Sequence, residues 1–365
     1  MGPLIRYFLR LGTFGFGGPI ALTAAMHRDL VERRRWLSER EYLEGLALAQ
    51  LMPGPLAAQL AMYIGWLRGG WIGATAVGVA FVLPSFVLVL AIASAYTRLG
   101  GLPWMQAAFY GIGAAVIAIV LRGAVKLTRL TIGRDRLLWP IVLINAVGTA
   151  FFESEIIWLI VVGGLIVAAA RTHDRPGTTV VALLPASTTS MSLADTTTLF
   201  WFFVKAGAFV FGSGLAIVPF LYGGVVQERA WLTDQQFFDA IAVAMITPGP
   251  VVITVAFIGF LVDGLRGAVA ASAGVFLPCW LLVVVPAPYF SRWSAEPRLK
   301  AFVDGVTAGA VGAILGAAWV LGRRAIVDLP TALIFVGTLL ALMTLKRLPE
   351  PVVIAVVGIG GVLLA

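Results

Sequence analysis

Long apolar segments follow one another through almost the whole chain, and this succession restricts its fold more than any other feature. About 20 apolar residues in helical form cross the hydrocarbon layer of a bilayer, and the short alternating segments of a membrane β-barrel are not seen. The segments have the approximate limits 4–26, 43–67, 71–97, 104–121, 137–152, 155–170, 197–222, 236–262, 267–290, 301–322, 330–345 and 351–365. The sequence therefore predicts an all-α polytopic membrane protein in contact with membrane lipid.

The composition supports this prediction. Hydrophobic residues make up 60% of the chain and charged residues 12%, whereas about 25% of the residues in a soluble domain are charged. The net charge of +8 does not indicate a nucleic-acid partner, because the lysines and arginines lie in short clusters between apolar segments, as in the cytoplasmic loops of membrane proteins. We expect no nucleic acid among the partners.

Side chains for metal, cofactor or hydrolytic chemistry are sparse. The chain has one cysteine, Cys279, and two distant histidines, His27 and His173, whereas a protein metal site needs several such ligands together. The sequence contains neither a Ser-His-Asp cluster nor a phosphate-binding glycine loop. We therefore predict a protein without metal, cofactor or catalytic residues, and an intramembrane enzyme that modifies lipids is the remote alternative.

The two halves of the chain repeat each other. Of the 42 positions from 14 to 55, 13 are identical to the position 195 residues later, and composition bias does not produce matches of rare residues in the same order and spacing. The most specific matches are Trp36-Leu37 with Trp231-Leu232 and Pro53-Gly54-Pro55 with Pro248-Gly249-Pro250. We predict an N-terminal transmembrane repeat over 1–171, a polar linker over 172–196 and a C-terminal transmembrane repeat over 197–365.

The basic loops indicate how the repeats are oriented. Residues 28–40 and 122–136 each contain five lysines or arginines, but 223–235 contains one arginine. Both basic loops lie in the cytoplasm if the segment 43–67 enters and leaves the membrane on one side. The loss of basic charge in the second half favours inverted-topology repeats. Inversion requires an odd number of crossings, and counting 4–26 as one crossing gives five in each half.

Each Pro-Gly-Pro motif predicts a broken, re-entrant helix, because proline removes an N–H donor and clashes with the preceding turn, while glycine permits a tight bend. We call Pro53-Gly54-Pro55 the first break and Pro248-Gly249-Pro250 the second break. A helix that restarts at Leu56 or Val251 presents unpaired N–H groups and a positive dipole end, which suit an anion. Two breaks at equivalent positions predict an anion site, with a mere kink in each helix as the alternative.

The predicted substrate-binding site combines the two breaks with the glycine-rich segment before each and with nearby polar side chains. Glycine lets a ligand or another helix approach closely. The candidate residues are Gly17, Gly18, Pro53, Gly54, Pro55, Gln59, Gly212, Ser213, Gly214, Thr247, Pro248, Gly249, Pro250 and Thr254. An amide or hydroxyl group donates either to an anion or to a neighbouring backbone carbonyl, and we expect the anion here.

Two arginines and two acidic residues also occupy equivalent repeat positions. Arg34 corresponds to Arg229, and Glu44 corresponds to Asp239. The arginines are candidates for interfacial anchors beside tryptophan or for an entry funnel that concentrates anions. We expect the acidic residues to pair with these arginines, and the relay of a proton is the alternative.

In their order along the chain, these motifs resemble the bacterial chromate ion transporter family in its long, two-half form. The resemblance covers both halves and rests on the ordered set of motifs. Its first-half pieces are Phe16-Gly17-Gly18-Pro19, Glu32-Arg33-Arg34, Arg35-Trp36-Leu37-Ser38-Glu39, the first break, Gln59, Tyr63-Ile64-Gly65-Trp66 and Phe81-Val82-Leu83-Pro84-Ser85. Its second-half pieces are Phe211-Gly212-Ser213-Gly214, Pro219-Phe220, Trp231-Leu232-Thr233, Asp239-Ala240-Ile241-Ala242, Thr247 with the second break and Val251, Phe257-Ile258-Gly259 and Phe276-Leu277-Pro278.

The resemblance implies a secondary active transporter that exports chromate across the bacterial inner membrane and confers chromate resistance, with its halves opposed. Chromate is a tetrahedral dianion shaped like sulfate, so a sulfate or other oxyanion permease is the alternative. Many relatives carry a histidine after Gly-Gly-Pro and hydroxyl residues after Pro-Gly-Pro, where this chain has Ile20-Ala21-Leu22 and Leu56-Ala57-Ala58. A coupling ion (a proton or another ion) and a second copy of the chain are the further expected partners.

Overall fold

The computed structural model describes residues 1–16, 18–99, 103–133, 135–153, 156–171, 196–208, 214, 217–290, 296–345 and 350–364. Every regular element in these ranges is a helix, which confirms the predicted all-α fold. Among the described residues, four regions are long and apolar enough to cross a membrane, namely Leu56–Leu99, Ala107–Arg129, Val251–Tyr289 and Pro297–Ala325. Four shorter apolar helices accompany them.

The helices follow the same order in both halves. In the first half they are α1 (Gly2–Phe14), α2 (Gly18–Met26) with a π-helix (His27–Arg33), α3 (Glu39–Leu51), α4 (Leu56–Leu99), α5 (Pro103–Thr131), α6 (Leu138–Phe152) and α7 (Ile157–Arg171). In the second half they are α8 (Thr196–Ala208), α9 (Ile217–Leu221) with a π-helix (Tyr222–Glu228), α10 (Asp234–Ile246), α11 (Thr254–Val284), α12 (Pro297–Ala325), α13 (Leu329–Thr344) and α14 (Glu350–Leu364).

The first apolar segment, 4–26, is a hairpin and not the single crossing that the count of five assumed. Helix α1 has 13 residues and is about 20 Å long, which is shorter than the hydrocarbon layer of about 30 Å. Gly18 then has a φ of 73°, and α2 leads back to the end where α1 began. There Met1 lines a cleft together with Trp36 and Leu37. The chain start therefore shares the end of the molecule that carries the basic loop 28–40.

A sharp bend divides α4 and α11 at equivalent positions. Gly70 has a φ of 56° and Gly264 a φ of 55°, a conformation that favours glycine. The helix before each bend folds back on the helix after it, so that a Cβ atom on Gly65 or Gly259 would clash with a backbone carbonyl of the returning helix. Each half thus contains a short helix that follows the break, a glycine bend and a long apolar helix.

The last two helices of each half pack on the other half. Gly305 and Gly309 of α12 contact α7, while Gly312 and Gly316 of the same helix contact α6. In the same way α13 and α14 pack on α5. Small residues allow these close helix–helix approaches in a membrane. The two predicted repeats are therefore interlocked in space, and neither builds its packing from its own helices alone.

Candidate functional site

The first break lies where α3 ends at Leu51 and α4 begins at Leu56. Gly54 has a φ of 145°, so an L-residue with a side chain is strained at this position. A Cβ atom there would lie 2.5 Å from Nε2 of Gln59 and 3.1 Å from Sγ of Cys279. Both conformation and space therefore require glycine at the centre of the first break.

The second break repeats this geometry. Gly249 has a φ of 94°, and a Cβ atom there would clash with the hydroxyl of Ser85. The Ser85 hydroxyl donates a hydrogen bond of 2.6 Å to the carbonyl of Pro248. The N–H of Gly249 donates at 3.0 Å to the carbonyl of Gly15, so the tip of the first hairpin reaches the break of the second half.

Each break therefore rests on the long helix of the opposite half, at equivalent places. Ser85 follows Pro84 in α4, and Cys279 follows Pro278 in α11. Ser85 lies midway between the bend at Gly70 and the end of α4 at Leu99, so the second break sits near half the length of a membrane-crossing helix. The structure brings the two predicted breaks onto one pair of packed helices, α4 and α11.

The polar side chains near the breaks bind backbone carbonyls. Nε2 of Gln59 donates to the Pro53 carbonyl at 2.8 Å. The hydroxyl of Thr247 donates to Ala244 at 3.0 Å, and that of Thr254 donates to Val251 at 2.8 Å. The sequence left two acceptors open for these side chains, an anion or a backbone carbonyl. In this structure they donate to backbone carbonyls, and donation to an anion stays a prediction.

Gln59 keeps one unused hydrogen-bonding atom beside the first break. Its side chain is completely buried, and Oε1 has no hydrogen-bond partner among the described residues. A buried polar atom without a partner costs free energy. The first break therefore contains a free hydrogen-bond acceptor, which suits water or another donor group and not an oxyanion.

The glycine-rich segments are described in part. Gly17, Gly212 and Ser213 lie outside the described residues. Gly18 begins α2 and has nothing within 4 Å of an added Cβ atom, whereas an added Cβ at Gly214 would lie 3.2 Å from Val252. Gly214 is thus packed against the residues that follow the second break of its own half.

The two equivalent arginines lie between aromatic rings. The guanidinium carbon of Arg34 is 5.2 Å from the ring centre of Tyr7 and 4.7 Å from that of Trp36. Arg229 is 4.6 Å from Phe202 and 5.3 Å from Trp231. These are cation–π distances.

The acidic residues do not pair with these arginines, so that prediction is wrong. Glu44 accepts a hydrogen bond of 2.9 Å from Arg40, one turn earlier in α3. Asp239 is bound by Tyr96 and by Gln235, one turn earlier in α10. The reason is local, since residues four apart on a helix meet on one face, whereas both arginines lie against aromatic rings.

The π-helical turn of each half is tied to the helix that leads into its break. Nε2 of His27 lies 2.9 Å from Oε2 of Glu39, and this hydrogen bond raises the pKa of His27. At the equivalent place the hydroxyl of Tyr222 donates to Asp234 at 2.6 Å.

Within the residues that the structure describes, no group of three or more His, Cys, Asp or Glu side chains could hold a metal ion.

Comparison with known proteins decides the family. The family model described as chromate transporter matches residues 3–168 and again residues 197–363. The chain belongs to the chromate transporter family. This membership makes it a multi-pass membrane transporter and not an enzyme, and it confirms the resemblance seen in the sequence.

Several relatives resemble the chain along nearly its whole length. The chromate transport protein of Cupriavidus metallidurans is 56% identical, over 96% of this chain and 90% of the relative. The probable chromate transport protein of Synechococcus elongatus is 54% identical, over 99% of this chain and 94% of the relative. The chromate transport protein of Pseudomonas aeruginosa is 32% identical, over 85% and 78%. No solved structure matches the chain.

Sequence reasoning missed three residues that hold the site together. Ser85 and Cys279 contact the opposite breaks, and the signal for them was present, since both follow a repeated proline. Tyr96 had no such signal, because the equivalent residue in the other half is Phe290.

Proposed function

We propose that this chromate transporter family member is a secondary active transporter that exports chromate from the bacterial cytoplasm across the inner membrane, and that this activity confers chromate resistance. The proposal takes its substrate from the relatives that are named chromate transport proteins. The proposal of secondary active transport rests on the sequence, in which we find no phosphate-binding loop for ATP.

One observation carries the proposal, namely the reciprocal packing of each break on the long helix of the other half. A helix that begins at a break offers unpaired backbone N–H groups and a positive dipole end, and two such ends near half the depth of the helices suit a dianion without a buried cation. Broken helices in repeated halves are a common design of secondary transporters, whose substrate sites lie near the bilayer midplane.

The contacts of α4 and α11 support inverted repeats. Because 4–26 is not a crossing, each half has four crossings, and an inverted relation then also requires the chain to change sides between Arg171 and Thr196, in residues that the structure does not describe. Nε1 of Trp280, near the end of α11, donates to the hydroxyl of Thr75 at 3.0 Å. Thr75 lies near the start of the part of α4 that follows the bend, so these equivalent helices run antiparallel where they touch. A two-fold relation that reverses a membrane-crossing helix has its axis in the membrane plane. The basic loops 28–40 and 122–136 then mark the cytoplasmic side.

Chromate uptake into everted inner-membrane vesicles tests the proposal. We expect saturable uptake with the protein and none in matched vesicles without it, because export from the cell becomes uptake in everted vesicles. Uptake should persist without ATP and should be inhibited by sulfate, which shares the tetrahedral shape and charge. Sulfate flux without chromate flux would favour the sulfate permease, and the absence of both fluxes would contradict the proposal.

A further inference from the structure

A carboxyl group lies buried in the helix that leads into the second break. The Asp239 side chain is 2% exposed. Its Oδ2 accepts a hydrogen bond of 2.7 Å from the hydroxyl of Tyr96, and its Oδ1 accepts one of 2.9 Å from Nε2 of Gln235. Both donors are neutral. Such a group inside a membrane protein is costly and marks a functional site more often than a structural one.

Within the described residues no lysine or arginine forms an ion pair with Asp239. Tyr96 is the one titratable group bound to it, and it lies against the rings of Phe109 and Phe257. Of the charged groups on α10 and on the helices packed on it, Asp234 binds Arg324 and Tyr222, Asp263 accepts from Thr196, Glu350 lies near Arg122 and Lys126, and Arg98 is exposed at the end of α4. Within the part of the chain that the structure describes, no bound cation therefore fixes the charge of Asp239.

The equivalent position of the first half is different. Glu44 is partly exposed and pairs with Arg40, and Phe290 stands where the other half has Tyr96. The Arg40 cation favours the charged form of Glu44, and Phe290 has no hydroxyl that could bind a carboxyl group. Of these two equivalent acidic residues, only Asp239 is buried and without a cation among the described residues.

Asp239 is also placed to affect the second break. Two hydrogen bonds join α4 to the segment formed by α10 and the second break. One is Tyr96 to Asp239, and the other is Ser85 to the carbonyl of Pro248. A neutral carboxyl group accepts a hydrogen bond less strongly than a carboxylate. Protonation of Asp239, nine residues before Pro248, therefore weakens the first connection and lets α10, the helix that leads into the break, move against α4.

We propose that Asp239 is a proton-binding site that couples the transported oxyanion to proton movement. The inference rests on the transport function proposed above. Binding forms one O–H bond between a carboxylate oxygen and a proton taken from water at one membrane face, and release to water at the other face breaks it. Tyr96 is a positioning residue, because it orients the carboxyl group through its hydroxyl.

Asp239→Asn in the full chain, reconstituted in lipid vesicles, tests the site. At a clamped membrane potential, a pH difference of one unit should change the initial rate of chromate flux at least about threefold in the wild type, and by less than about 1.3-fold in the variant. Chromate/chromate exchange without a gradient should stay within about twofold of wild type, because asparagine keeps the shape and can bond both neighbours. Glu44→Gln is the matched control and should keep the dependence on the pH difference.

The outcomes separate the two proposals. Absence of chromate flux in the wild type overturns the transport function and this inference with it. Wild-type flux that ignores the pH difference overturns the coupling alone, as does a pH response that survives in Asp239→Asn. If Asp239→Asn fails to fold, Tyr96→Phe serves instead: it removes a donor from the charged carboxylate and should shift the pH profile of flux to higher pH, and an unchanged profile would overturn the proposal.

Discussion

Gly249→Leu is expected to abolish chromate transport while the protein still inserts into the membrane. The position has a φ of 94°, and a strained backbone of this kind costs about 1–3 kcal/mol. The leucine side chain would also displace the Ser85 hydroxyl, which occupies the space of the missing Cβ atom. Rotation of Ser85 relieves the clash at the cost of its hydrogen bond to Pro248, and relief of the backbone strain moves the second break. Uptake into everted vesicles should fall at least about tenfold, in proportion to that strain.

Two comparisons separate this effect from a general loss of folding. Gly337→Leu is the matched control, because an added Cβ atom there meets nothing within 4 Å and Gly337 lies in an ordinary helix, α13. Its uptake should equal that of the wild type. Gly54→Leu should fail as Gly249→Leu does. Membrane amounts are matched by immunoblot. Normal chromate uptake by both break variants would count against the site at the breaks.

A cysteine in place of Gly54 is expected to form a disulfide with Cys279, the single cysteine of the chain. An added Cβ atom at position 54 would lie 3.1 Å from Sγ of Cys279, which is within reach of a disulfide once the Gln59 amide moves aside. The bond would join the two halves covalently. With a protease site inserted after residue 180, the cleaved and oxidised chain should run at full length on a non-reducing gel and as two fragments after reduction.

Gly70→Cys is the control for this experiment, because position 70 has nothing within 4 Å of an added Cβ atom and belongs to the same half. It should separate into two fragments under both conditions. Gly54→Cys combined with Cys279→Ser should do the same. If Gly54→Cys also separates fully without reductant, the first break does not lie on α11.

The repeat made much of this arrangement predictable. The two breaks, the equivalent arginines and the equivalent acids all came from one offset of 195 residues, and proline chemistry located the helix ends. The hairpin over 4–26 was not predicted, because its 23 residues have the length of one crossing, although Gly15, Gly17, Gly18 and Pro19 interrupt that segment.

Two further features were not predictable from the repeat, namely the partners of the acidic side chains and the packing of the last two helices of each half. The spacing of Glu44 and Asp239 showed their equivalence but not their partners, which are set by residues four positions earlier on the helix. The sequence did not indicate that the last two helices of each half pack on the other half. Helices α5 and α12 are equivalent in the repeat, so α6 and α7 could pack on either of them. In a duplicated sequence, periodicity alone does not distinguish packing within a half from packing between halves.

The position of bound chromate tests the central claim most directly. Crystals of the full chain grown with chromate would reveal the ion through the anomalous scattering of chromium. The account predicts a peak within hydrogen-bond distance of the backbone N–H groups of Leu56 and Ala57 or of Val251 and Val252, between α4 and α11. A chromium peak confined to the aromatic-stacked arginines, with both breaks free of anion, would contradict it.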